Sequence, residues 1–168
     1  VGVLDKYRDR LPIEWIVGEN VGFAGSHQIM FERFDSELVL IVNHDLVLTP
    51  EYISSIRLVM ESDSNIGSAE GVILHADYDE NGTPKLTNII DSLGLGRAKT
   101  YKVYDIGQGK EFVQLDQFII DRFGVSGCLP MYRRSMLNGQ LFDPTFWMYK
   151  EDVETAFRLN KIGARSVL

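Results

Sequence analysis

Two short apolar runs open the chain, VGVL at its start and IEWIV at residues 13 to 17, and each carries the β-branched residues of a strand. GFAGSHQIMFERF has a different period. Phe23, His27, Met30, Phe31 and Phe34 recur three and four apart, which predicts an amphipathic helix. ELVLIVN then runs apolar without alternation, the pattern of a strand buried on both faces of a parallel sheet.

Thr49, Pro50 and Glu51 combine a capping hydroxyl, a proline at the first helical position and an acid at the positive end of the dipole. They predict a helix running to about Met60. IGSAEGVIL, residues 66 to 74, predicts the next strand, and from His75 to about Asp121 periodicity gives way to turn signals such as DENG and LGLG. FGVSGCLPMYRR returns to strand character, RRSML predicts a short helix, and FDPTFW an extended turn. EDVETAFRLN is the last predicted helix, with Gly163 near its C-cap and ARSVL beginning a final strand. Strands alternating with helices, without repeats, point to one α/β layered domain over residues 1–168 with a mostly parallel sheet.

Composition narrows the function classes. Hydrophobic residues make up 45% of the 168, and no apolar run approaches the roughly 20 residues of a membrane span. Seventeen basic against 24 acidic residues leave a formal charge of −7, which disfavours a nucleic-acid partner bound through its phosphates. The lone Cys128 cannot form an internal disulfide, and the expected compartment is the cytoplasm.

Three stretches could carry chemistry. NHD, residues 43 to 45, follows the most apolar strand, where open α/β sheets bind ligands and where an oxygen-donor pair suits Mg²⁺ or Mn²⁺; a plain Asn-x-Asp turn explains it equally well. ENVGFAGSHQ places two glycines before a helix, as at anion sites, although a strand-to-helix turn needs no more, and His27 between Phe23 and Phe31 reads first as a packed histidine. FWMYKEDVETAFRL sets three aromatics before Glu151 and Asp152, acids that also suit any helix N-terminus. Adjacent helical residues diverge by about 100°, so these two acids cannot share one task.

Together and in order, ENVGFAGSHQ, LVLIVNHDLVLTPEYI, IDSLGLG, FGVSGCLPMYRRSML and LFDPTFWMYKEDVETAFRLNKIGAR resemble the family 2 glycosyltransferases, in particular their rhamnosyltransferase-like branch. The resemblance spans nearly the whole chain. It implies a GT-A fold and inverting transfer of a sugar from a nucleotide-sugar donor to a hydroxyl on a glycan or lipid-linked acceptor, in surface polysaccharide or glycolipid synthesis at the inner face of the cell membrane.

By position the resemblance makes Asp152 the catalytic base and Asp45 the ligand of Mg²⁺ or Mn²⁺ on the donor diphosphate. Asn43 lines the same site, Asp5 contacts the nucleotide base, and His27 and Gln28 stand at donor-side positions where the family often has asparagine. Trp147, Tyr149 and Glu151 fall on the acceptor side. The family's first strand-helix unit and its segment after the final strand have no counterpart here. The chain is therefore expected to be incomplete at both ends, with a dimer or another chain covering the exposed sheet edge. The alternative is a non-catalytic nucleotide- or glycan-binding fragment of such an enzyme. A sugar-nucleotide pyrophosphorylase would want a glycine-rich basic loop near its start, and none is visible.

Overall fold

A computed structural model describes residues 2–7 and 9–168. The elements run α1 (Gly2–Asp5), α2 (Gly22–Arg33), β1 (Leu38–Leu40), α3 (Tyr52–Ser62), β2 (Ile66–Ala69), β3 (Ile73–Tyr78), β4 (Pro84–Ser92), β5 (Leu95–Arg97), β6 (Val103–Asp105), β7 (Asp121–Arg122), β8 (Met131–Arg133), a 3₁₀ turn at Arg134–Met136, α4 (Glu151–Lys161) and β9 (Arg165–Val167). The opening strand expected from VGVL is instead the single turn of α1, with Val1 outside the described residues, and IEWIV forms no ladder. Among the described residues no helix is long and apolar enough to cross a membrane.

The main sheet has the order β1-β8-β2-β9-β7. Only β2 and β9 pair in parallel; β1 with β8, β8 with β2, and β9 with β7 are antiparallel. The mostly parallel GT-A sheet expected from the sequence is therefore not formed. The physical reason lies in β8, which enters from an irregular run rather than from a crossover helix and bonds between β1 and β2 in the opposite direction. Val39, Tyr132 and Ser68 stand in one row across those three strands.

The run from 66 to 74 also differs from expectation. It breaks after Ala69, so β2 stays in the main sheet while β3 leaves to pair with β4 in a separate antiparallel hairpin. The DENG turn closes that hairpin, with Asp79 Oδ1 accepting from the Asn81 and Thr83 amides and Gly82 in a left-handed conformation. A second small hairpin joins β5 and β6.

Two cores cover the main sheet. On one face α2 and α4 bury Ala24, Phe31, Tyr132, Phe142 and Leu159 together; on the other α3 packs Ile56 and Met60 against Ile66, Met131 and Val167. Alternation along β8 sends Tyr132 to the first core and Met131 to the second, with the Arg133 guanidinium on the α3 side at the Met60 and Ile66 carbonyls. α4 ends as its glycine predicts, with Gly163 at φ 76°, its amide on the Asn160 carbonyl and the Ala164 amide on the Leu159 carbonyl. α3 starts differently from expectation: Glu51 is the capping residue, and the Thr49 hydroxyl makes no cap bond.

The C-terminal end of α3 is closed by Arg133, buried between helix and sheet. Its guanidinium donates to the Ile66 carbonyl at 2.9 Å, to the Met60 carbonyl, and to the Asp63 carbonyl at 3.4 Å. Positive charge at a helix C-terminus suits the dipole, and the planar fork serves several carbonyls at once. Arg133→Met strands those acceptors and is expected to lower the unfolding free energy by about 3 kcal/mol in urea denaturation. Arg133→Lys, which lacks the fork, should recover less than half of that loss.

Candidate functional site

α4 buries Glu151, Thr155, Ala156 and Leu159, so Glu151 belongs to the packed face and Asp152 stands at its edge. The helix seats itself through Arg158, which pairs with Glu154 at 2.8 Å and donates to the Gln140 and Leu141 carbonyls. Gly124 permits the close approach on the other side, since a Cβ there would lie 2.4 Å from that of Ala156.

Asp152 is held by two backbone amides. Its Oδ2 accepts from Gly127 at 3.0 Å and its Oδ1 from Val153 at 2.7 Å. These bonds orient the carboxylate and leave each oxygen a further lone pair for a hydroxyl. Burial pushes the Glu151 carboxyl up, and its Oε2 has no hydrogen-bond partner. Both acids therefore stand against Gly127, as a Cβ there would lie 3.4 Å from Glu151 Oε1 and 3.5 Å from Asp152 Cβ.

The residues ahead of α4 are strained. Tyr149 and Lys150 are consecutive non-glycine residues at φ 71° and 74°, a conformation that costs on the order of 1 kcal/mol or more per residue and concentrates at functional sites. Trp147 and Tyr149, shortly before Asp152 in the chain, are 55% and 74% exposed. Trp147 is anchored by its carbonyl, which accepts from the Phe23 amide at 2.8 Å and lies directly over Gly22.

The same irregular run that meets Asp152 also meets the NHD stretch. Asn43 donates its amide to the Cys128 carbonyl at 3.2 Å, one residue beyond Gly127. Asp45 lies in the turn that follows, on the wall of a cavity of about 500 Å³ shared with Thr49, Tyr52, His75, Asp91 and Cys128. Burial, reinforced by the charges of Asp91 and Asp45, pushes the Cys128 thiol up to about 12, so it stays protonated. His75 Nε2 stands 3.5 Å from Asp91.

Other predicted residues lie elsewhere. His27 stacks on Phe23 at 4.2 Å and edge-on to Phe142 at 5.9 Å, its Nδ1 donates to the Phe23 carbonyl, and burial lowers its pKa. It lines a different cavity, beneath α2. Gln28 is buried and fully engaged: its amide nitrogen donates to Glu32 and the Gly139 carbonyl, and its oxygen accepts from Leu141. The buried side chains of α2 are thus Ala24, Gln28 and Phe31; of the expected stripe Phe31 is buried, Phe23, His27 and Met30 are half-buried and Phe34 is exposed. Asp5 is exposed at the end of α1 and does not line the Asp45 cavity.

Glu70 was not among the sequence candidates, although an acid inside the apolar run IGSAEGVIL is a signal of burial. It is 3% exposed, its Oε2 accepts from the Ser126 amide at 2.9 Å, and its Oε1 has no hydrogen-bond partner. Burial raises its pKa well above the ordinary range, with the Asp105 and Asp152 charges adding to the effect and Arg122 opposing it. Asp105 shares this environment and is itself raised by burial.

Among the described residues no group of three or more His, Cys, Asp or Glu side chains is gathered closely enough to hold a metal ion. Asp45 and Asp91 both line the cavity and carry hard oxygen donors. Two carboxylates are too few for a cage built by the protein alone, so a cation here would need oxygens from a bound phosphate to complete its shell. No protein-family model and no curated protein sequence matches the chain.

The folded chain keeps the Glu70 proton to higher pH than the unfolded chain, so stability associated with Glu70 is full below the ordinary glutamate range of about 4.3 and declines as pH rises above it. Glu70→Gln removes this dependence. As pH rises above about 4.3 the difference in unfolding free energy should move in favour of the variant, as followed by urea denaturation at each pH.

Proposed function

We propose that the chain is a sugar-transferring domain that moves a glycosyl group with inversion from a nucleotide-sugar donor to a hydroxyl acceptor, as its likeness to the family 2 glycosyltransferases implies. The observation that carries this reading is the pair of bonds on consecutive residues, Gly127 to Asp152 and Cys128 to Asn43. Asp45 and Asp152 are 107 positions apart in sequence (152 minus 45), and this run ties their surroundings together.

In the proposed reaction Asp152 takes the proton of the acceptor hydroxyl as its oxygen attacks the anomeric carbon. The bond from that carbon to the donor's diphosphate oxygen breaks in the same displacement. Asn43 and Asp45 would face the donor's diphosphate, and Asp45 would hold a Mg²⁺ or Mn²⁺ ion that would supply positive charge to the diphosphate leaving group. Trp147 and Tyr149 offer exposed aromatic faces for the acceptor sugar. Glu151 supports the turn against Gly127 rather than the chemistry. The acceptor belongs to surface polysaccharide or glycolipid synthesis, and the place of action is the cytoplasmic face of the membrane.

Asp152→Asn is expected to lower sugar transfer from nucleotide-sugar donors by about 10²- to 10⁴-fold while leaving donor binding within about twofold. Undiminished turnover would sink the assignment of the base. In calorimetry with nucleoside diphosphates, Mn²⁺ should strengthen binding to the native chain by about tenfold, and Asp45→Asn should abolish that gain. Metal-dependent binding without transfer from any donor would instead favour a non-catalytic nucleotide-binding role.

A further inference from the structure

We propose that Glu70 is a positioning residue for Asp152, acting through the Ser126–Gly127 backbone; this rests on reading Asp152 as the base. Two neighbouring amides are each held by a carboxylate from a different part of the chain. Ser126 donates to Glu70 at 2.9 Å, and Gly127 donates to Asp152 at 3.0 Å. Residues 125 to 130 belong to no helix or strand, so no regular ladder orients the Gly127 amide. Its direction follows from the torsions of Ser126, whose own amide is fixed by Glu70.

Glu70 is a rigid anchor for that purpose. It sits directly after β2, its amide donates to the Val167 carbonyl at 3.1 Å, and its side chain is enclosed beside Gly94 and Arg122. The unpartnered Oε1 is the telling detail. A buried acid with one oxygen unused is unfavourable for a residue serving packing alone. Its one bonded oxygen goes to the Ser126 amide, in the peptide unit directly before the one whose Gly127 amide meets Asp152. The same run leads on to Cys128 and the Asn43 bond, so a displacement of Ser126 moves both sides of the site.

The test compares E70Q, which keeps an acceptor oxygen for Ser126, with E70L, which removes it, and E70D, which keeps the acid but withdraws it by one methylene. NMR follows the Gly127 amide and the Asp152 carboxyl carbon, with the core amides of Leu159 and Val167 as internal controls. E70Q should leave the Gly127 resonance and the Asp152 titration close to those of the native chain. E70L and E70D should speed Gly127 exchange by about tenfold relative to the controls and shift the Asp152 titration. Sugar transfer should fall by about tenfold in kcat, with donor KM within about twofold.

Should E70L fail to fold, E70D alone decides. Exchange at Gly127 and at the controls rising together, or an unchanged Asp152 titration in E70D, overturns the proposal. If the native chain transfers no sugar but Gly127 and Asp152 still respond to E70D, the positioning holds and the assignment of Asp152 as the base is what falls.

Discussion

The structure depends on how the irregular run from Ser126 to Pro130 satisfies its backbone polar groups. Buried amides and carbonyls outside helices and sheets need partners individually. Here each finds one in a different place: Ser126 on Glu70, Gly127 on Asp152, Cys128 on the Asn43 amide, Leu129 on the Tyr52 hydroxyl at 2.8 Å, and Pro130 on the Ile41 amide at 2.9 Å. Those partners belong to the end of β2, to α4, to the chain beyond β1 and to α3. Five residues without regular structure thus join the two helical layers and the edge of the sheet, and they deliver the chain into β8 at the register that places Tyr132 in one core and Met131 in the other.

That solution concentrates acids. Glu70, Asp105, Glu151 and Asp152 stand within electrostatic reach of one another or of Tyr132, and burial dominates the upward shifts of Glu70, Asp105 and Glu151. Arg122 is the cation that opposes this for Glu70, but its Nε is committed to the Leu93 carbonyl. The left-handed pair Tyr149 and Lys150 adds backbone strain at the entrance to α4. Unpaired buried carboxyl oxygens and consecutive strained residues both reduce stability, and their coincidence around Gly127 marks the region where the fold departs most from what stability alone would select.

Much of the local structure was legible. The extents of α2 and α4, the end of α3, the DENG turn and the Gly163 cap all come from interactions within a few residues, which sequence spacing reports directly. The single run from 66 to 74 read as one strand because its apolar residues are continuous; Glu70 within it marked the break, since an acid is buried there only where a partner such as the Ser126 amide waits. The sequence pattern points to a parallel sheet for a related reason. Local pattern reports that a strand is buried but not which way its neighbour runs, and the antiparallel β8 displaces β2 from the side of β1.

The candidate site divides along the same line. From sequence came the residue types: an acid pair opening a helix behind exposed aromatics, and an Asn-x-Asp stretch after an apolar strand. Those depend on composition and short spacing alone. Only the tertiary structure decided that Asp152 rather than Glu151 takes the Gly127 amide, that Gln28 is spent on the turn at residues 139 to 141 while His27 packs between aromatics, and that Glu70 joins the group. Each of these is a hydrogen bond or contact between residues far apart in the chain. Its formation rests on how the irregular run through Gly127 is placed, and no local pattern encodes that placement.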